Sequence, residues 1–214
     1  MSDADGHGTG SVPLDLIPAA LLLPRVRRVA LVALSAALII GLLVWLVAPW
    51  WVALIVGAVL GLPPVLGAFA STRRHLRLQG TTLIASGTAG KRTVELRHLA
   101  GVELLVRVGR VSQVVLRVND GTHGLVSVPL ALYTDGGGRE LDVLALRSLA
   151  DALASSELAP AAAIASVLVE QLRAEARGAG LPDRPLHRAI TLARDAGRTP
   201  QTTLTDQEVA SLVD

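Results

Sequence analysis

Between Val29 and Thr72 the chain carries no Asp, Glu, Lys, Arg or His. Water-soluble domains are charged at roughly a quarter of their positions, against 18% over this whole chain. The uncharged stretch divides at Ala48-Pro49 into two apolar runs, Val29–Ala48 and Trp50–Phe69. The first has 20 residues, enough for about 30 Å of helix. Twelve of them are Leu, Ile or Val, which together favour insertion by about 4 to 7 kcal/mol. The second run is interrupted by Gly57, Gly61, Gly67 and Pro63-Pro64 but carries no charge. Proline is tolerated in membrane helices where neighbours satisfy the freed carbonyls.

The flanks agree with two crossings. All three tryptophans, Trp45, Trp50 and Trp51, lie at the link between the runs, as an aromatic belt at one depth requires. Arg25, Arg27 and Arg28 precede the first run, and Arg73, Arg74 and Arg77 follow the second. The positive-inside rule places both ends in the cytoplasm. There the six arginines can contact anionic headgroups, each contact being worth about 1 kcal/mol, although the topology rule alone also accounts for them. The expectation is a multi-pass protein of a bacterial cell membrane, a helical hairpin over residues 25–72 with both termini cytoplasmic. A cleaved signal peptide has a shorter apolar core and a polar chain after it. A soluble hairpin would have to bury helices that are apolar on every face.

Each run also has small residues at four-residue spacing, Ala33, Ala37 and Gly41 in the first and Ala53, Gly57 and Gly61 in the second. Such ridges let helix backbones approach closely in lipid. They pack either the two helices of one chain or helices of separate chains.

After Arg73 the apolar period shortens to two. His75–Gln79, Thr82–Ser86, Lys91–Leu96, Val102–Val108, Ser112–Asn119 and Leu125–Val128 read as strands, separated by turn signals such as Asn119-Asp120-Gly121. Six short strands with hairpin-length links make a meander that curls on itself. The period then lengthens. Arg139–Ser155 predicts an amphipathic helix with Leu141, Leu144, Leu149 and Leu153 on its apolar face.

The stretch Leu76-Arg-Leu-Gln-Gly-Thr-Thr-Leu-Ile-Ala-Ser-Gly87, then Lys91-Arg-Thr-Val-Glu-Leu-Arg-His-Leu-Ala-Gly-Val102, resembles bacterial PH-like domains that follow a membrane hairpin. Val114–Gly121 and Leu125–Pro129 resemble the later hairpin of that family. The resemblance spans about residues 70 to 156 and rests on loose patterns. It implies an α+β fold, a small β-barrel capped by a C-terminal helix. A full barrel of this kind has seven strands, so either one is hidden near Leu130–Tyr133 or the barrel is incomplete. The helix has no tryptophan and no lysine-rich phosphoinositide motif is present, so the resemblance implies a scaffold and not a ligand.

Residues 1–24 are expected to be disordered or interfacial, with nothing to bury over Met1–Gly10. Residues 73–156 form the PH-like domain and 157–214 an alanine-rich helical extension. In that extension Pro160 suits the first turn of a helix to Arg177, with Ile164, Val167, Leu168 and Leu172 on one face and Gly178 as its stop. Gly178–Pro185 reads as a break. Thr205 and Glu208 form a capping box, with Leu204 and Val209 placed as a hydrophobic staple.

Chemistry finds little footing. There is no cysteine, and His7, His75, His98, His123 and His187 lack metal-ligand spacing. No nucleophile elbow, Walker loop or dinucleotide fingerprint occurs. Gly136-Gly137-Gly138 could cradle an anion ahead of Arg139, but it reads first as a flexible linker. The charge balances at +2, and Tyr133, the one aromatic after the second run, offers nucleic acid no stacking platform. We therefore expect no catalysis, no cofactor, no metal, no nucleic acid and no small-molecule substrate. The expected partners are the lipid bilayer and a protein, or a second copy of the chain. The expected function is a membrane-anchored, cytoplasm-facing interaction module, or else an accessory subunit packed through its hairpin.

Overall fold

A computed structural model describes residues 11–16, 19–46, 49–72, 75–87, 90–122, 124–135, 137–198 and 200–213. The expectation for Met1–Gly10 lies outside them. The chain forms two units, a helical hairpin and a β-rich body built from residues on both sides of it.

The hairpin consists of α1 (Ala19–Trp45) and α2 (Trp50–Thr72). Its large side chains point outward. Of the 24 exposed large hydrophobic residues among the described ones, 18 lie between Val29 and Leu62, so neither helix has a polar face to offer water. One window, Arg28–Trp45, has 18 residues with mean hydropathy 2.3 and is long and apolar enough to cross a membrane. The apolar part of α2 among the described residues, Trp50–Pro63, is shorter, about 21 Å of helix. The expected pair of spans is thus reduced to one helix that qualifies by length and composition.

The body is mixed α and β. One antiparallel sheet has the order β1-β2-β3-β4, from Ser11–Pro13, His75–Gln79, Thr82–Gly87 and Gly90–Glu95. The second has the order β8-β7-β6-β5-β9, where β5 is Gly101–Arg107, β6 Ser112–Asn119, β7 Leu125–Thr134, β8 Gly137–Glu140 and β9 Gln201–Thr203. Four helices complete it, α3 (Val143–Ala154), α4 (Ala159–Ala176), α5 (Pro185–Asp195) and α6 (Asp206–Ser211).

The six expected strands correspond to β2–β7, but the expected barrel does not close. The edge of β5 away from β6 is taken by β9, with Leu105 opposite Thr203 and Arg107 opposite Gln201, so it is not free for β4. No separate strand lies at Leu130–Tyr133. Those residues extend β7 past Pro129 through an irregularity opposite Val114 and Val115, a bulge that accommodates a proline in a paired strand.

Three further strands arise where none was expected. β1 comes from the segment expected to be disordered or interfacial. Val12 pairs with Leu78, and Leu14 and Leu16 are buried in the body's core. β8 replaces the expected glycine linker, so α3 starts later than Arg139, at an Asp142 cap whose side chain accepts the Leu144 amide. In α3, Leu149 and Leu153 are buried as expected, whereas Leu144 is exposed.

The C-terminal helices are not a separate layer. Ile164 and Leu168 of α4 and Leu186 and Ile190 of α5 join Leu104 and Leu116 in one core. Gly178 takes φ +67° after α4, the left-handed stop that glycine allows. The capping box at Thr205 and Glu208 forms in full.

Candidate functional site

The sequence directs attention first to the hairpin. Ala37 is the buried centre of the contact between α1 and α2. A Cβ placed on Gly61 would lie 3.5 Å from the Ala37 Cβ, and one on Gly57 would lie 3.9 Å from the Ala37 carbonyl oxygen. The two ridges therefore meet within one chain. Gly41 and Ala33 are half-buried on α1, and the side chain of Ala53 lies outside the described ones.

Towards the link, the ridge opens into an apolar groove of about 700 Å³ lined by Gly41, Leu42 and Trp45 of α1 and Trp50, Leu54 and Gly57 of α2. Trp45, Trp50 and Trp51 are all exposed at this end. The covalent reason is simple, since α1 ends and α2 begins there.

The six arginines are less uniformly placed. Arg25 and Arg27 fall in α1 with side chains outside the described ones, and Arg28 is exposed. Arg73 and Arg74 lie outside the described residues. Arg77 sits on β2 opposite Pro13 and points to solvent, while Leu78 beside it is buried.

The body holds a second site that sequence reasoning did not find. Its anchor is Tyr133, at the end of β7. The phenol donates a hydrogen bond to Glu140 Oε1 at 2.5 Å, and Arg184, the residue before α5, donates to Glu140 Oε2. Burial, and then the hydrogen bond to Glu140, push the Tyr133 phenol far up, so it stays protonated. The His187 ring of α5 meets the Tyr133 ring edge-on with centroids 5.1 Å apart. Gly138 makes this fit possible. A Cβ there would lie 2.4 Å from a carbon of the Tyr133 ring, so β8 can pass the ring only as bare backbone.

Beside this clamp a cavity of about 420 Å³ opens between the β5–β6 turn, the end of β7 and α5. The only sequence signals for it were the Gly136-Gly137-Gly138 run and an isolated His187. His98, by contrast, is exposed near Glu157 at 3.8 Å, and His123 lies outside the described residues. Among the described residues no three His, Cys, Asp or Glu side chains converge on a metal position. Comparison with protein-family models, curated proteins and solved structures finds no match for the chain.

Proposed function

We propose that the chain is a membrane-anchored, cytoplasm-facing interaction module, a PH-like body with a transmembrane hairpin inserted between its first and second strands. The observation that carries this reading is the pairing of β1 with β2 across the hairpin, from Ser11 opposite Gln79 to Pro13 opposite Arg77. The apolar window of α1 is only 6% buried, which favours lipid over a soluble core as its surroundings. If α1 crosses alone, β1 and β2 end on opposite faces of the bilayer and cannot pair. A crossing by α1 therefore calls for a return through α2. Cleavage after α1 would likewise remove Leu14 and Leu16 from the core, which disfavours a signal sequence.

Eight strands, β1–β8, precede α3, and strands followed by a closing helix is the order the PH-like reading supposes. β1, from before the hairpin, and β8 are the two beyond the six of the sequence reading. The arginine flanks favour the cytoplasm for the body. A second reading, an accessory subunit of a larger membrane complex, is favoured by the apolar groove at Gly41 and Gly57, which has room for a partner helix.

Anchoring is tested by washing membranes from expressing cells with alkaline carbonate. The full chain should stay in the pellet and be released by detergent; release by carbonate alone would end the proposal. A Gly41→Trp variant fills the groove. Loss of a co-purifying protein on that change selects the subunit reading, and retention selects the body as the platform.

A further inference from the structure

We infer that the cavity beside Tyr133 is a binding site for a small molecule carrying an oxyanion on an apolar body. The site goes beyond the membrane reading and does not depend on it. Its volume, about 420 Å³, falls in the range of small-molecule pockets.

Its charges are unbalanced. Arg110 of the β5–β6 turn and Arg194 of α5 line the cavity from two sides, against one acid, Asp135. Glu140 and Arg184, beside the cavity, are paired with each other. Among the described residues neither Arg110 nor Arg194 has a hydrogen-bond or ion-pair partner for its guanidinium. A guanidinium presents paired N–H donors that match the oxygens of a phosphate or carboxylate.

The remaining wall suits the rest of such a molecule. Leu181, Pro182 and Ile190 supply apolar surface. His187 also lines the cavity, and its Nδ1 is buried without a partner. An unpartnered buried nitrogen is unusual in a folded protein, and a ligand polar group in this cavity can meet it. The wall is also rigid, because Tyr133 is clamped by Glu140 and held by the close approach of Gly138. A preformed wall lowers the ordering cost of binding.

Phosphate and carboxylate share this chemistry, and a free molecule or a lipid headgroup can supply it. The probe is phenyl phosphate, titrated by calorimetry into the full chain held in phosphatidylcholine nanodiscs. Binding is expected, with inorganic phosphate about tenfold weaker because it lacks the apolar body. Arg110→Gln with Arg194→Gln should weaken phenyl phosphate by about tenfold or more at an unchanged melting temperature, since both residues are exposed. Thr134→Trp, at the exposed mouth of the cavity, should abolish binding. No binding by the unmodified chain at about 1 mM, or undiminished affinity in the double-arginine variant, overturns the inference. Repeating the titration with phosphatidic acid in the nanodisc separates the sources. Competition assigns a lipid headgroup, and unchanged affinity assigns a free molecule.

Discussion

The Leu14 amide donates a hydrogen bond to the Leu76 carbonyl at 2.9 Å, although the entire helical hairpin lies between the two residues. Next to it, Asp15 Oδ1 accepts the Leu76 amide at 3.1 Å, and Asp15 Oδ2 faces His75 Nδ1 at 3.3 Å. In sequence the hairpin is thus an insertion between two strands that pair with each other, and the body includes residues from both of its sides.

The stability of the body should therefore depend on residues before the hairpin. Leu14 is fully buried, and truncation of such a leucine costs about 2 to 5 kcal/mol. Leu14→Ala should lower the denaturation midpoint of the body correspondingly. An unchanged midpoint would show that β1 is dispensable.

The helix contact should be intramolecular. With the Cβ of Ala37 3.5 Å from that of a residue at position 61, the pair Ala37→Cys and Gly61→Cys falls at the short end of the Cβ–Cβ range of a disulfide. Oxidation should give a crosslinked monomer on denaturing gels. A crosslinked dimer would assign the ridges to contact between chains.

Gly138→Ala should destabilise the body by about 1 to 3 kcal/mol through overpacking against Tyr133. Tyr133 is the one tyrosine in the chain, and its phenol is pushed up from the ordinary value of 10.0. An ultraviolet titration of the folded protein should show no tyrosinate around pH 10. Because the folded pKa is raised, the stability it confers is present below the unfolded value and lost as pH rises past it. Ionisation near pH 10 in the folded state would contradict the clamp.

Glu208 shows the opposite sign. Hydrogen bonds from Arg198, and then the Thr205 amide, hold its carboxyl down at about 2 against an ordinary 4.5. Its contribution is full above about pH 4.5 and disappears as pH falls towards 2. Glu208→Gln should destabilise the C-terminal α6 region at neutral pH, with the difference from the parent vanishing in acid. A gap that stays constant with pH would remove the ion pair from the account.

Much of this was legible along the chain because local patterns carried it. The strands β2–β7 announced themselves by alternation, and Thr205 with Glu208 by spacing alone. What was missed depended on distant partners. Val12, Leu14 and Leu16 alternate in the same way, but so short a strand gains its stability only from β2, on the far side of the hairpin. β8 was hidden because Gly137-Gly138 reads as a linker until the Tyr133 ring is placed against it. The helix α5 was passed over because its large apolar residues are few. Leu186, Ala189, Ile190 and Ala193 nevertheless recur at helical spacing, and all four are buried. The cavity was invisible for the same kind of reason, since Arg110, Tyr133, His187 and Arg194 come from separate elements.

The central claim is that the hairpin goes out and returns, leaving both of its flanks on one side of the bilayer. The chain has no cysteine, so single cysteines can be placed at Pro49, Ser11 and Gln79 and probed in intact cells with an impermeant maleimide. The account predicts that Pro49→Cys labels at once, while Ser11→Cys and Gln79→Cys label only after the membrane is opened. Labelling of just one of Ser11→Cys and Gln79→Cys in intact cells would place β1 and β2 on opposite faces and contradict it.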